Sequence, residues 1–413
     1  MTMRHAYIAS GLVVAAILAC TASASAQTFT TLYQFCKARL PCKDGAGPLE
    51  SPLISDGAGN FYGTTQNYGA QNGGTLYRLS ADGTVKLVFA FPEIAGPRGP
   101  LVRDVDGNLY GLESNGAFGA GGVFKLQPLN DTKTRWSFET IYSFCAGGGN
   151  CVDGSTPVQL TYEGAASGVA YDGTSPLYGS TVSGGASAQG AVFRLSPKAG
   201  SWTENVVYSF CAKDNCTDGQ WPAYALFFDA SGKLYGATTS GGAANQGAIF
   251  KITPKNGKET VVYSFCSQAN CPDGAQPSGL TIDGNGNLIG TTSAGGDAQR
   301  GTLFRLSPHG RFKRLYSFCA QESCADGSTP LAGPTVGADG TIYGVTSLDS
   351  RLYAFAPQSS TYSVLHTFCT DSKCADGFEP LAPLTQDASG RLLGTTAFGG
   401  SQHSGGTVFS LVP

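Results

Sequence analysis

The sequence predicts an all-β chain folded as a seven-bladed β-propeller of four-stranded blades, its ring closed by an N-terminal strand pairing with the C-terminal strand. Three observations predict this. The stretch Pro277 to Asp326, PSGLTIDGNGNLIGTTSAGGDAQRGTLFRLSPHGRFKRLYSFCAQESCAD, holds four short runs of strand character, each stopped by a turn signal, and similar stretches recur about every 50 residues. Two separate markers inside the repeat both count to seven. The chain also opens in the phase of an outer strand and closes in the phase of a third strand.

The bulk composition agrees with a packed, turn-rich array. Of 413 residues 58 are glycine, 41% are hydrophobic and only 13% are charged, so a large core can form between many tight turns. The net charge is −3, with Lys and Arg scattered singly, which leaves no electrostatic footprint for nucleic acid.

Taken in order, residues 1–26 read as an export signal: Arg4 is the positive start, Ile8 to Cys20 the apolar run, and Ala24-Ser25-Ala26 the cleavage site. The run is short for a bilayer span. Ile17-Leu18-Ala19-Cys20 offers a second reading as a lipoprotein box, with Cys20 lipidated at the cell surface. No later apolar run is long enough for a membrane helix, so residues 27–413 are expected to form one secreted or periplasmic propeller domain, a monomer with no transmembrane segment.

The mature chain opens with TFTTLYQFC, which matches the outer strand of a blade. The second strand is marked by Phe61-Tyr-Gly63, Leu109-Tyr-Gly111, Leu177-Tyr-Gly179, Leu234-Tyr-Gly236, Leu288-Ile-Gly290, Ile342-Tyr-Gly344 and Leu392-Leu-Gly394. The third is marked by runs beginning at Leu76, Val123, Val192, Ile249, Leu303, Leu352 and Val408. Because the chain ends at GGTVFSLVP, the last blade lacks its outer strand, and Thr28 to Phe35 is expected to supply it against Thr407 to Val412. Four departures break the symmetry: no Cys pair in FAFPEIAGPRGPLV, Glu113 in LESNGAFGAGG, an insertion at 163–172, and a shortened loop TSLDSR in blade six.

Twelve cysteines besides Cys20 fall as close pairs at one place in the repeat: Cys36/Cys42, Cys145/Cys151, Cys211/Cys216, Cys266/Cys271, Cys319/Cys324 and Cys369/Cys374. Local disulfides are the economical pairing. Zinc would need four ligands from two pairs on separate blades, with few histidines to help.

The signature GxLYGTTxxGGxxxxGxVFRLxPxG followed by LYSFCxxxxCxDGxxP resembles the tandem repeats of choice-of-anchor GloVer-containing bacterial proteins, over essentially the whole mature chain. The resemblance implies an exported protein and carries no established activity. Members often end in an anchor, which is not expected after Pro413. More loosely, the GLxxDxxGNLY phase is similar to NHL and streptogramin-lyase-type propellers, from which no catalytic residue transfers.

Candidate chemistry is sought on the face where the loops from strand four to strand one and from strand two to strand three emerge, because loops on a rigid scaffold carry function. Asp44, Asp153, Asp218, Asp273, Asp326 and Asp376 each precede Gly after the second Cys. A carboxylate ring for calcium is one reading, and a repeated Asx turn is the favoured one. Asp104-Val-Asp106-Gly-Asn108 looks like the start of a calcium loop but sits where a first hairpin must turn.

Of the mature histidines, His309 is expected on the opposite face and His366 on an outer strand, so His403, with Glu113 or Glu379, is the catalytic candidate. No nucleophile elbow accompanies it. Tyr68, Phe118, Trp221 and Phe398, with Gln402 among nearby amides, are candidates for stacking and hydrogen bonding to a ligand, and Trp221 is the preferred one. The reading is therefore a binding or interaction module for a glycan or cell-envelope ligand, without metal or other cofactor. An extracellular lyase or hydrolase and a purely structural surface protein are the alternatives.

Overall fold

The computed structural model describes residues 27–413 except 38, 39, 94, 131, 166, 167, 402 and 403. The export segment, Gln402 and His403 therefore lie outside the described residues. The described chain forms seven four-stranded antiparallel sheets, and in six of them the strands follow chain order from the inner to the outer edge. Blade five is representative, with Ala275–Ile282 innermost, then Leu288–Ala294, Thr302–Leu306 and Phe312–Ser317. In the seventh sheet Thr385–Gln386, Leu392–Thr396 and Thr407–Val412 are completed by Thr28–Gln34, whose register runs from Thr28 opposite Val412 to Gln34 opposite Thr407. The first and last described strands thus share one blade.

The two repeat markers explain each other in space. The glycine of the second strand lies beneath the aromatic ring of the third: a Cβ at Gly290 would meet Phe304 Cζ at 2.4 Å, and one at Gly179 would meet Phe193 Cζ at 2.2 Å. The ring needs that space because the next blade presses on its other side. The Phe that precedes the first Cys packs onto this ring in the following blade, with centroids 5.0 Å apart for Phe144 and Phe193, 5.2 Å for Phe265 and Phe304, and 5.1 Å for Phe368 and Phe409. The unstapled connection keeps the same contact, Phe91 on Phe124 at 5.1 Å. The core consequently lies between blades, as in the cluster of Tyr110, Leu112 and Val123 from blade two with Leu160, Phe193 and Leu195 from blade three.

All six close cysteine pairs are local disulfides, as their spacing predicts. Cys36 is bonded to Cys42 with Cα atoms 4.7 Å apart, Cys145 to Cys151 at 4.4 Å, and Cys211 to Cys216 at 4.0 Å. Cys266 is bonded to Cys271 at 4.1 Å, Cys319 to Cys324 at 4.1 Å, and Cys369 to Cys374 at 4.0 Å. The sulfurs are thereby used by one another, and these twelve residues are fastenings of the scaffold rather than contacts for a ligand. The second cysteine of each pair also works through its backbone. Cys42, Cys151, Cys216, Cys271, Cys324 and Cys374 each accept, on the carbonyl oxygen, the amide of the glycine three residues on, at 2.8 to 3.0 Å. All but Cys324 accept a second amide, from Gly69, Gly185, Gly242, Gly296 and Gly400 of the loop between second and third strands. In blade six that loop is cut to TSLDSR, which has no glycine to offer.

Each stapled loop is organised by the repeated Asp. Asp326 accepts hydrogen bonds from the amides of Ala320 and Gln321 and from the Tyr316 hydroxyl at 2.6 Å, while Gly327 takes φ 97°. Asp44, Asp153, Asp218 and Asp273 likewise bind Tyr33, Tyr142, Tyr208 and Tyr263, and Asp376 binds His366 Nε2 at 2.8 Å. The carboxylates build the loop, the structural role that the sequence favours, but not as Asx turns. They bond amides five to eight residues upstream, at or just after the first cysteine, rather than amides ahead of them. The tyrosine partner was visible in the sequence as the Tyr of LYSFC.

Asp104, by contrast, builds a turn. It accepts from the Asn108 amide at 2.8 Å and the Asn108 side chain at 2.7 Å, and it binds Tyr110 Oη at 3.1 Å. The insertion of blade three docks on this hairpin, since Val105 N donates to Tyr171 O at 2.9 Å and the Tyr171 ring packs on Tyr110 at 5.4 Å.

Candidate functional site

One position repeated in every blade builds the upper face, the face that bears the disulfide loops. Gly47, Gly96, Thr156, Trp221, Gln276, Thr329 and Glu379 each precede a proline at the head of an inner strand, and all have φ between 50° and 67°. Proline disfavours the right-handed helical region for the residue before it, and the left-handed region costs a non-glycine residue about 1–2 kcal/mol. Hydrogen bonds on both sides hold it there. Trp221 N donates to Gln189 O of blade three at 2.9 Å, while Trp221 O accepts from Thr239 N of its own blade at 3.1 Å. Thr156, Gln276 and Thr329 make the same amide bond to the blade before, each at 2.8 Å. With the amide joined to the preceding blade and the carbonyl bonded within its own, the side chain is free to vary.

Trp221 is 44% exposed at this position, a large apolar surface offered to solvent. Tyr68, Phe118 and Phe398 are also exposed, in the loops between second and third strands of blades one, two and seven. Phe398 lies against Phe378, ring centroids 5.6 Å apart. Among the described residues no ring contact joins Tyr68, Phe118, Trp221 and Phe398 to one another, so they are dispersed round the rim. Glu379 takes its place in the proline-preceding ring, with its amide bonded to Ser350 Oγ at 2.9 Å.

Glu113 differs from its expected placement on the open loop face. It is fully buried at the end of the second strand of blade two, opposite Gly122. The corresponding pair is two hydrogen-bonded threonines in blades one and five, Thr65 with Thr75 at 2.8 Å and Thr292 with Thr302 at 2.9 Å. In blade two the longer acid fills the room left by the missing side chain of Gly122. Neither carboxylate oxygen makes a hydrogen bond of good geometry, and burial pushes the carboxyl up to about 6, opposed by the nearby Thr140 hydroxyl. His366 is held on an outer strand between Asp376 and the Phe29 ring, stacked at 3.6 Å, and His309 sits in an exposed hairpin between the third and fourth strands of blade five.

The concave feature whose lining residues sequence reasoning did not identify is the axial channel. A cavity of about 380 Å³ runs between the inner strands of blades one and three to seven. Its wall is two-sided. Blades five to seven contribute mainly small and aliphatic groups, Gly279, Leu331, Ala332, Gly333, Leu381 and Pro383 beside Ser278 and Thr281, whereas blades one, three and four bring the polar Glu50, Gln159 and Tyr224 together with Leu226 and Phe227. Glu50 is paired with Arg98 of blade two, Oε2 to Nη2 at 3.2 Å. Burial raises the pKa of Tyr224, Glu50 adds to the shift and Arg98 opposes it, so the phenol stays protonated near neutral pH and acts as a hydrogen-bond donor.

Glu50 also lines a side cavity of about 110 Å³ with Ser51, Thr64, Gln66 and Arg98. Buried there, Ser51 Oγ and Arg98 Nε have no protein partner. The sequence did hold a signal. Just after the repeated proline, blades five to seven read Ser-Gly, Leu-Ala and Leu-Ala, and blades one to four place Glu50, Arg98, Gln159 and Tyr224 there instead.

This arrangement can hold a small ligand end-on between hydrogen-bonding groups and aliphatic lining, and the exposed Trp221 lies three residues before Tyr224, at which the inner strand of blade four begins. Residues 17–176, 161–351 and 269–413 match the Gloeobacter/Verrucomicrobia repeat. The chain belongs to that family. No curated protein matches it in sequence.

Among solved structures this Gloeobacter/Verrucomicrobia repeat protein is similar to a streptogramin B lyase, with TM-score 0.56 and 15% identity over 94% of this chain and 97% of that one. It is similar to virginiamycin B lyase from Staphylococcus aureus, with TM-score 0.57 and 12% identity over 94% and 99% of the two chains. An extracellular domain assigned to a one component system of B. thetaiotaomicron has TM-score 0.54 and 12% identity, over 91% of this chain and 40% of that chain. At these identities the likeness is one of fold.

Proposed function

We propose that this chain is an exported binding module that takes a glycan or other cell-envelope fragment at the upper mouth of its axial channel. The observation that carries the reading is the axial cavity of about 380 Å³, in which Glu50, Gln159 and Tyr224 share the lining with aliphatic groups such as Leu331, Leu381 and Pro383. Such a cavity is of ligand size, and its few polar groups converge. Export is supported by the six disulfides, which persist in oxidising compartments, and by the signal pattern in residues 1–26.

The test is thermal unfolding of residues 27–413 against a panel of oligosaccharides and peptidoglycan fragments. A ligand present at a hundred times its Kd stabilises the fold by about 2.7 kcal/mol, a readily measured rise in midpoint. Trp221→Ala and Tyr224→Phe are each expected to abolish or halve that rise while leaving the unliganded midpoint nearly unchanged. Product analysis with the same ligand separates a binder from a lyase. Absence of any ligand-dependent rise across the panel rejects the reading.

A further inference from the structure

We infer that the channel mouth selects an electrically neutral, hydroxyl-rich ligand, a neutral sugar end, over acidic or basic ones. This rests on the reading of the mouth as a binding site. The charged residues that line the two cavities, Glu50 and Arg98, are paired with each other at 3.2 Å. A carboxylate drawn to Arg98 would meet the Glu50 carboxylate beside it, and an ammonium drawn to Glu50 would meet the guanidinium, so each would displace one charged partner to gain another.

A pair of adjacent hydroxyls has no such conflict. One hydroxyl donates to the Glu50 carboxylate while its neighbour accepts from the guanidinium, and the ion pair stays intact. The rest of the mouth fits the same chemistry. Ser51 Oγ and Arg98 Nε are buried and lack protein partners in the side cavity of about 110 Å³, where Thr64 and Gln66 add further polar lining. That space is large enough for a hydroxymethyl group, and the hydroxyl of Ser51, one of its lining residues, has both donor and acceptor capacity unused by the protein. Gln159 and the protonated Tyr224 add an amide and a donor, while Leu331, Leu381 and Pro383 face the opposite side, where the C–H face of a pyranose would lie.

Titration calorimetry of residues 27–413 with matched oligosaccharides ending in a neutral hexose, a uronic acid or an amino sugar tests the inference. Neutral ends are expected to bind with an affinity that barely changes between low and high salt, and both charged ends to bind at least tenfold more weakly, about 1.4 kcal/mol. Ser51→Ala, a small change at a buried site, is expected to weaken neutral binding roughly three- to tenfold through one lost hydrogen bond, with the unfolding midpoint kept. Arg98→Gln is expected to remove neutral binding without creating any for uronic acids.

Tighter, salt-sensitive binding of uronic or amino sugars overturns the inference while sustaining the channel mouth as a site. So does binding of peptidoglycan peptides alone. Binding of none of these ligands, or neutral binding unaffected by both Ser51→Ala and Arg98→Gln, overturns it as well.

Discussion

At the scale of single residues, the glycines of the second strands and the residues before the inner prolines obey opposite demands. Gly290 is fixed by close approach: Phe304 Cζ would stand 2.4 Å from an added Cβ, and Phe265 closes the other side of that ring at 5.2 Å. Gly290→Ala is therefore expected to cost about 1–3 kcal/mol, read as a fall in the denaturant midpoint at unchanged m-value. Trp221 occupies a backbone conformation that Gly47 and Gly96 adopt more cheaply in their own blades, at φ 59° against 67° and 50°. The side chain, not the backbone, accounts for a tryptophan there.

Glu113 gives a pH prediction. Its folded pKa of about 6 exceeds the ordinary 4.5, so between these values the folded state keeps a proton that the unfolded state has lost. Stability from this group is complete below pH 4.5 and declines as the pH rises to about 6. Glu204, pushed up to about 7 by burial and then by Asp153, acts in the same direction. Glu113→Gln is expected to flatten the fall of the unfolding midpoint across this window. An unchanged slope would mean that the carboxyl is hydrated.

At the scale of elements, the stapled loop is a unit in which a disulfide, an Asp and an outer-strand tyrosine fix one connection. By the loop-entropy account, closing so short a loop contributes about 2 kcal/mol. Cys266→Ser with Cys271→Ser should lower stability by about that amount, and the equivalent change on a distant blade should add to it within about 0.5 kcal/mol. The Asp carries part of the burden independently. Tyr316→Phe removes the 2.6 Å bond to Asp326 and is expected to cost about 1.5–3 kcal/mol, measured by chemical denaturation. The blade-one connection has no disulfide yet keeps the Phe91 to Phe124 contact at 5.1 Å, so aromatic insertion, common to all seven connections, is the primary fastening.

At the scale of the whole molecule, the ring depends on Thr28–Gln34 completing the last sheet. Removing those residues would bare the edge of Thr407–Val412 and uncover Phe409, on which Phe29 packs at 5.5 Å. An exposed strand edge recruits other chains, so the truncated protein is expected to associate with rising concentration, while the complete one does not. Light scattering over a concentration series distinguishes the two, and a truncated form that stays monomeric at the midpoint of the complete chain would show that the strand is dispensable.

The fold was legible in the sequence because it is repetitive. The markers at Leu288-Ile-Gly290 and Leu303, the six cysteine pairs and the phase of TFTTLYQFC each report local chemistry, and local chemistry repeated seven times fixes blade number, staples and closure. The structural role of Asp104 and of the Asp after each second Cys was legible for the same reason. The second amide that Cys42, Cys151, Cys216, Cys271 and Cys374 accept was not, because it comes from a loop of the same blade that only the folded sheet brings alongside. The site was not legible either. Glu113 looked exposed because its loop is exposed, and only its pairing opposite Gly122 reveals that the acid fills a core vacancy. Glu50, Arg98, Gln159 and Tyr224 lie on four blades and up to 174 positions apart, and the only local sign of a common level is the repeated proline one or two residues before each. Sequence determined what every blade has in common; the closed ring decided which of the differences face one another, because it alone brings the inner strands of separate repeats around a single axis.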